Sequence, residues 1–385
     1  MSKAMGDARV LHRISFVTGF GDYLTYFSVV KIVYAIHGDV LAAAFGGVGV
    51  GSFASICAGV LVPYLKRHFN TKTLIVLSQV WSGLVVVVLL WLTKSSALNA
   101  APFFVVLFLQ TFLSKMYDAA KETHTHALSE GVDHHASIQA TLLGGLYKAQ
   151  FLGPISAFVL LKFFSTDVPV LIDLATFFIS SCLALQLNRG TVLSEKLSVL
   201  RAVGYLRDSY PLRKLFILRT FGFWIPASFF NVIIYEHAVK RFGLGVEYSA
   251  VIYSLLGFGA LAGTMFIQRG APAMLRFLQS TPVNRVAAVA QVGFFVSMMS
   301  MFISSSVWWG TLCYLVYGVF MGLNAVATQS MRRMLCSKDQ MPEIIGLEAL
   351  ASFSIQFMLV STISVTMSGI PYSTQVTLTF WTAGV

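Results

Sequence analysis

The chain has 385 residues, of which 56% are hydrophobic and only 11% charged, with a formal net charge of +11. A soluble domain would carry roughly 25% charged residues, so water is excluded as the main solvent of this surface. The basic excess is not a nucleic-acid footprint, because the Lys and Arg residues sit between hydrophobic runs.

Those runs are about 20 residues long and recur along the whole chain, as bilayer-crossing helices require. The alternating segments of about ten residues that build a membrane barrel are absent. Backbone groups in lipid must bond internally, so the runs are expected to be helices. In chain order they are predicted at 13–36, 40–64, 73–93, 102–122, 137–162 and 167–187, then 214–240, 247–268, 283–304, 307–331, 343–368 and 371–385. The last is short for a crossing. The start, MSKAMGDARVLHR, is short and polar, so no cleavable signal peptide is expected.

Twenty-one of the 27 Lys and Arg residues fall in loops on the N-terminal side. Lys94, Lys162, Lys240 and Arg241 fall on the other, while Lys31 and Lys148 lie inside spans. The positive-inside rule then makes the N-terminus cytoplasmic, and the C-terminus too if the last span completes its crossing. A multi-pass protein of a bacterial inner membrane is expected.

Residues 188–213 are the only long interior linker. There Leu197, Leu200, Val203, Tyr205 and Leu206 interleave with Arg201, Arg207 and Asp208, the pattern of an amphipathic helix on the membrane surface or of a solvated linker helix. It separates a six-helix bundle at 1–187 from a second at 214–385. The halves echo each other: small residues crowd span 2 (Gly46 to Gly59) and span 8 (Gly257 to Gly263), and spans 4 and 10 both run into polar segments. Small residues let helices approach closely in lipid. Two such halves suggest a repeat-built transporter with its site between them.

Cys57, Cys182, Cys313 and Cys336 form no CxxC pair, so neither a disulfide framework nor a zinc site is implied. His124, His126, His134 and His135 read as a solvated loop rather than a metal site. No GxxxxGK[ST] phosphate loop is present. No cofactor and no metal are expected.

Four segments carry a family resemblance: FGDYLTYFSVVKIVYAIHGDV, with its Gly-Asp pair in span 1; LGPISAFVLLKFFSTDVPVLIDLATFFISS; LRAVGYLRDSYPLRKLFILR; and FGLGVEYSAVIYSLLGFGALAG. Through them the chain resembles the major facilitator superfamily, and within it the bacterial branch of macrolide and siderophore exporters. The resemblance implies an all-α polytopic fold of two pseudo-symmetric six-helix bundles, about twelve transmembrane helices in all. It departs from the branch in two places. Where the family's loop between spans 2 and 3 reads GxLADRxxRR, this chain has GVLVPYLKRHFNTK, with Arg67 in the place of the Asp and Pro63 in that of a Gly. In span 5, Gly153 and Pro154 are present, but Ala157 and Phe158 replace the glycine pair. Arg67, Asp118, Gly153 and Pro154 are the candidates for conformational switching.

Charges inside spans are costly and are functional candidates by default. Asp22 and Lys31 point to nearly opposite faces of span 1, so Asp22 is expected to pair with another span. Lys148, in GGLYKAQFLGP, lies mid-span, flanked by Tyr147 and Gln150. The family's span 5 borders the central cavity, where a lysine would attract an anion; an ion pair with Asp22 or Asp118 is the other reading. Lys148, Lys31, Tyr147, Gln150, Tyr26 and Arg219 are the expected substrate contacts, although Arg219 also reads as an anchor at the start of span 7. Tyr23, Trp224, Tyr235 and Tyr317 are further polar aromatics that could line the cavity. Asp118 and Glu122, beside Lys115 and Lys121, read as a local salt-bridge cluster. Asp22, Glu348 and Glu236 are the carboxylates placed to carry a coupling proton.

The expected function is secondary active export of a small polar anion, such as a carboxylate siderophore, by alternating access and coupled to protons. Multidrug or macrolide efflux and lysophospholipid flipping are the alternatives; no clustered catalytic set suggests an enzyme. The expected partners are the small-molecule substrate, a proton or other coupling ion and the lipid bilayer, with no nucleic acid, and the chain is expected to act as a monomer.

Overall fold

The computed structural model describes residues 2–38, 48–94, 101–128, 132–188, 199–224, 227, 234–235, 237–269, 283–303, 306–337 and 340–366. Side chains at 2–5, 37, 63, 67, 126–128, 132–140, 199–200, 224, 266–269, 283–286, 302–303, 330, 333, 342 and 363–366 lie outside the description. The expected twelfth span, 371–385, falls beyond the last described residue, and residues 225–226, 228–233 and 236 of span 7 lie outside the description.

The first half contributes α1 (Ser2–His37), α2 (Val50–His68), α3 (Thr71–Lys94), α4 (Ala101–Leu128), α5 (Val132–Phe163) and α6 (Asp167–Ala184). Two short helices follow, α7 (Val199–Asp208) and α8 (Tyr210–Arg219). The second half adds α9 (Tyr248–Arg269), α10 (Val283–Ile303), α11 (Val307–Leu335) and α12 (Met341–Thr366). Span 7 departs from regular helix: α8 runs into a π-turn at Thr220–Trp224, and a second π-turn occupies His237–Arg241. Such turns concentrate at functional sites.

Among the described residues six helices are long and apolar enough to cross a membrane. At 1.5 Å per residue, the 36 residues of α1 reach about 54 Å, so its N-terminal turns overshoot a hydrocarbon core of about 30 Å. The outward faces are apolar: Trp308 is 85% exposed and Phe178 73%. A surface of that kind is stable only against lipid, which makes this a multi-pass membrane protein. The end of the bundle that carries the N-terminus is called the basic end below.

Within the first half α1 lies against α5 and α6, and α3 against α4 and α6. Within the second, α11 lies between α9 and α10. The α9–α11 seam is backbone on backbone. A Cβ at Gly318 would run into the Leu256 carbonyl, and one at Gly322 into the Ala260 carbonyl. Dispersion across that close approach replaces the hydrophobic drive that lipid cannot supply. The halves meet along two seams, α5 with α9 and α2 with α12.

Within the expected linker, α7 is an amphipathic helix with its apolar face covered. Ala202 of α7 is fully buried, and Tyr205 and Leu206 pack with it against Cys336, Met341 and Ile344 at the basic end of α11 and α12. The helix is therefore docked on the second half. Ser209 then caps α8, its Oγ accepting from the Leu212 amide at 3.4 Å, with Pro211 in the first turn.

Candidate functional site

Between the halves lies a cavity of about 250 Å³ walled by α1, α5, α9, α11 and the start of span 7. Its wall is aromatic and amide-bearing, with Tyr23, Tyr147, Gln150, Phe223, Tyr253, Tyr317 and Asn324. Towards the basic end it shares Leu143, Leu146, Arg219 and Gln329 with a second space of about 350 Å³. That vestibule is charged: Lys66, Lys115, Lys121, Arg219 and Arg332 face Asp118, Glu122 and Glu348.

Arg219 stands at the junction and is buried. Its Nε donates to Glu348 and its Nη1 to the Thr328 hydroxyl at 2.7 Å. Arg332 takes the other Glu348 oxygen at 3.0 Å and reaches Glu122 of the first half at 2.5 Å. One carboxylate is thus held between two guanidiniums, and one guanidinium bridges the halves. Burial disfavours charge on Arg332, yet Glu122 and Glu348 hold its guanidinium above the ordinary arginine range. Asp118 sits between Lys121 at 2.9 Å and Lys115 at 3.6 Å. The salt-bridge cluster expected on span 4 therefore divides, with Asp118 paired locally and Glu122 crossing to α11.

On the far side of the cavity the halves meet through aromatics. Tyr235 Oη donates to Tyr26 Oη at 2.6 Å, Tyr253 stacks against Tyr23 and Phe27, and Phe158 against Tyr248. Lys31 donates to the Leu161 carbonyl at 2.6 Å, spent on α5 rather than on the cavity.

Lys148 requires a correction. Expected to face inward, it is exposed on the outside of α5. Tyr147 and Gln150 turn the cavity face of that helix inward, and a position one residue from Tyr147 is rotated by about 100°. Gly153 is where α5 presses on α1, since a Cβ there would meet the Tyr23 Cβ at 2.9 Å. Pro154 is buried inside a helix that continues to Phe163. The side chains of Arg67 and Trp224, and the whole of Glu236, lie outside the description. Of the loop histidines, His124 is a further correction: it is buried in the last turns of α4, with Nε2 3.1 Å from Asp7 and Nδ1 3.0 Å from Thr71.

Asp22 does pair with another span, accepting from Gln110 Nε2 of α4 at 3.1 Å. Beside it, Asp173 of α6 is fully buried and accepts from Thr25 at 2.5 Å and Thr176 at 3.0 Å. Sequence reasoning counted Arg332 among the loop charges and gave Asp173 no role. A signal for Arg332 was present: Asn324, Thr328 and Arg332 recur every four residues, a polar stripe on one face of a helix. No comparable pattern marks Asp173 or Gln110.

No protein-family model and no curated protein sequence matches the chain. Solved structures do. The human organic anion transporter MFSD10 (TETRAN) superimposes with a TM-score of 0.70 at 12% identity, over 98% of each chain. The nucleoside transporter NupG gives 0.65 at 15% identity, over 98% of this chain and 95% of that one. A bacterial homologue of the iron transporter ferroportin, in its outward-facing state, gives 0.66 at 16%, over 98% and 96%. The fold is the major facilitator fold. At these identities the likeness is one of architecture, and the facilitator fold accommodates organic anion, nucleoside and iron transporters alike.

Proposed function

We propose that this chain is a secondary active transporter that exports a small polar anion across a bacterial inner membrane by alternating access, with a proton as the coupling ion. The observation that carries this reading is the placing of Arg219. It lies where cavity and vestibule join, already holding a carboxylate, Glu348, that Arg332 holds from the other side. A cargo carboxylate entering from the vestibule offers Arg219 the same planar, charge-assisted geometry. The vestibule's five cations against three carboxylates favour an anion entering from that end, which is cytoplasmic under the positive-inside reading. A siderophore bearing several carboxylates suits such a wall, and one structural neighbour is an organic anion transporter.

Of the expected carboxylates Asp22, Glu348 and Glu236, Glu348 is engaged by two arginines, and we assign the coupling proton to Asp22. A second reading, efflux of a flat apolar compound of the macrolide or multidrug kind, draws on the aromatic wall of Tyr23, Tyr147, Phe223, Tyr253 and Tyr317.

The test is uptake of radiolabelled citrate into inverted proteoliposomes under an imposed proton gradient. Arg219→Gln should lower the initial rate at least tenfold, about 1.4 kcal/mol, while Lys148→Gln stays at the wild-type rate. Uptake by Arg219→Gln equal to wild type would rule out the anion reading, and displacement of a fluorescent macrolide without any citrate uptake would favour the second.

A further inference from the structure

In the first half Asp173 is fully buried and Asp22 half-buried, and neither has an ion-pair partner among the described residues. Among the described residues Asp22 on α1 is bonded by the Gln110 amide. Asp173 on α6 takes the hydroxyls of Thr25 and Thr176. They come together where α1, α4 and α6 meet: Gly21, the neighbour of Asp22, lies directly against the Asp173 carboxylate and the Thr176 hydroxyl, and Thr25 stands one turn further along α1. Lys115 and Asp118, further along α4 from Gln110, are paired with each other at 3.6 Å.

A separate observation points to a ligand. Gln110 is only 7% exposed, and its Oε1 is buried with no hydrogen-bond partner. That oxygen belongs to the same planar amide whose Nε2 touches Asp22, so it is an empty acceptor at the carboxylates' edge. An unmet buried acceptor costs about 1–3 kcal/mol. What satisfies it must be electron-poor, and what neutralises two neighbouring carboxylates must be positive.

We propose that Asp22, Asp173, Gln110 and Thr25 form an all-oxygen binding site for a hard metal cation of the calcium or sodium class. Carboxylate, amide and hydroxyl oxygens are the ligands such ions take. No group of three His, Cys, Asp or Glu side chains gathers among the described residues, so softer metals have no comparable offer. Two carboxylates match the charge of calcium. Asp22 is only partly buried, which leaves a way in. The site deepens the transport reading at Asp22, where a bound cation competes with the coupling proton, but its readout is binding, so the failure of one is distinguishable from failure of the other.

The experiment uses the full chain purified in detergent. Thermal unfolding is followed in choline chloride with added calcium, sodium, magnesium or zinc chloride, alongside equilibrium retention of radioactive calcium. Wild type should unfold at least about 2 °C higher in millimolar calcium or in sodium, and which ion does so identifies the occupant. Asp22→Asn and Asp173→Asn should abolish the shift. Gln110→Leu, which keeps both carboxylates and guards against a misfolded carboxylate variant, should weaken retention roughly tenfold. Absence of any calcium or sodium response in wild type, an equal response in all three variants, or a response to zinc alone would overturn the proposal.

Discussion

Arg332 of α11 reaches across the molecular midline to Glu122 of α4 at 2.5 Å, while its other amino group holds Glu348 at 3.0 Å. One buried guanidinium thus joins the two halves at the basic end. Glu122→Gln should free that end. Removing one partner of a buried pair strands the other charge, but Glu348 still holds Arg332, so the expected loss of stability is about 2 kcal/mol, below the usual 3–5. Asp118→Asn, which removes a more exposed carboxylate, should cost under about 1 kcal/mol. Thermal unfolding in detergent ranks the two, and spin labels near the ends of α4 and α11 should move apart only in the first.

The Tyr26–Tyr235 hydrogen bond of 2.6 Å does the equivalent work at the far end. Tyr235 is fully buried, so Tyr26→Phe leaves its hydroxyl unsatisfied at a cost of about 1–3 kcal/mol. The double variant Tyr26→Phe/Tyr235→Phe removes both polar groups and should be destabilised by less than the sum of the singles. Additive losses in a double-mutant cycle would mean that the hydroxyls do not interact.

The α9–α11 seam has no room for side chains. Gly318→Val or Gly322→Val must separate two backbones and should abolish monodisperse expression. Gly144→Ala, where an added Cβ meets nothing within 4 Å, should express and unfold like wild type. Size-exclusion profiles of the three variants decide the matter.

Burial pushes the Cys336 thiol up to about 11, beneath the docked linker helix. Thiolate is the reacting form, so its fraction grows as pH rises towards that value and is small at neutrality. Between pH 9 and 10 an ordinary cysteine of pKa about 8.5 is nearly saturated, whereas maleimide labelling of Cys336 should still accelerate roughly tenfold. Ala202→Arg, which prises α7 away, should remove the difference. A plateau above pH 9 in the wild-type background would contradict the docking of α7.

How much of this was readable in advance differs from element to element. Apart from α1, which begins at Ser2 rather than at 13, and the partly described spans 2 and 7, the helices begin and end within about six residues of where hydropathy put them, because lipid imposes one rule on every crossing segment: apolar outside, hydrogen bonds inside. That rule acts through local composition, so local composition reports it. Which way a charge faces obeys no such rule. Lys148 and Tyr147 are adjacent in sequence and equally deep, yet one faces outward and the other the cavity, a matter of helix rotation set by the close contact at Gly153 with Tyr23. His124 was misplaced for a related reason: it is satisfied by partners more than 50 residues away, and pairing over that distance leaves no local trace.

The sequence by itself determined the solvent and the helical class, since each follows from apolar content and its spacing along one chain. Only the tertiary structure decided that Arg219, Glu348, Arg332 and Glu122 form one connected charge chain across the midline. A buried ion becomes affordable through the other helices that meet it, and those meetings are set by packing rather than by any stretch of sequence.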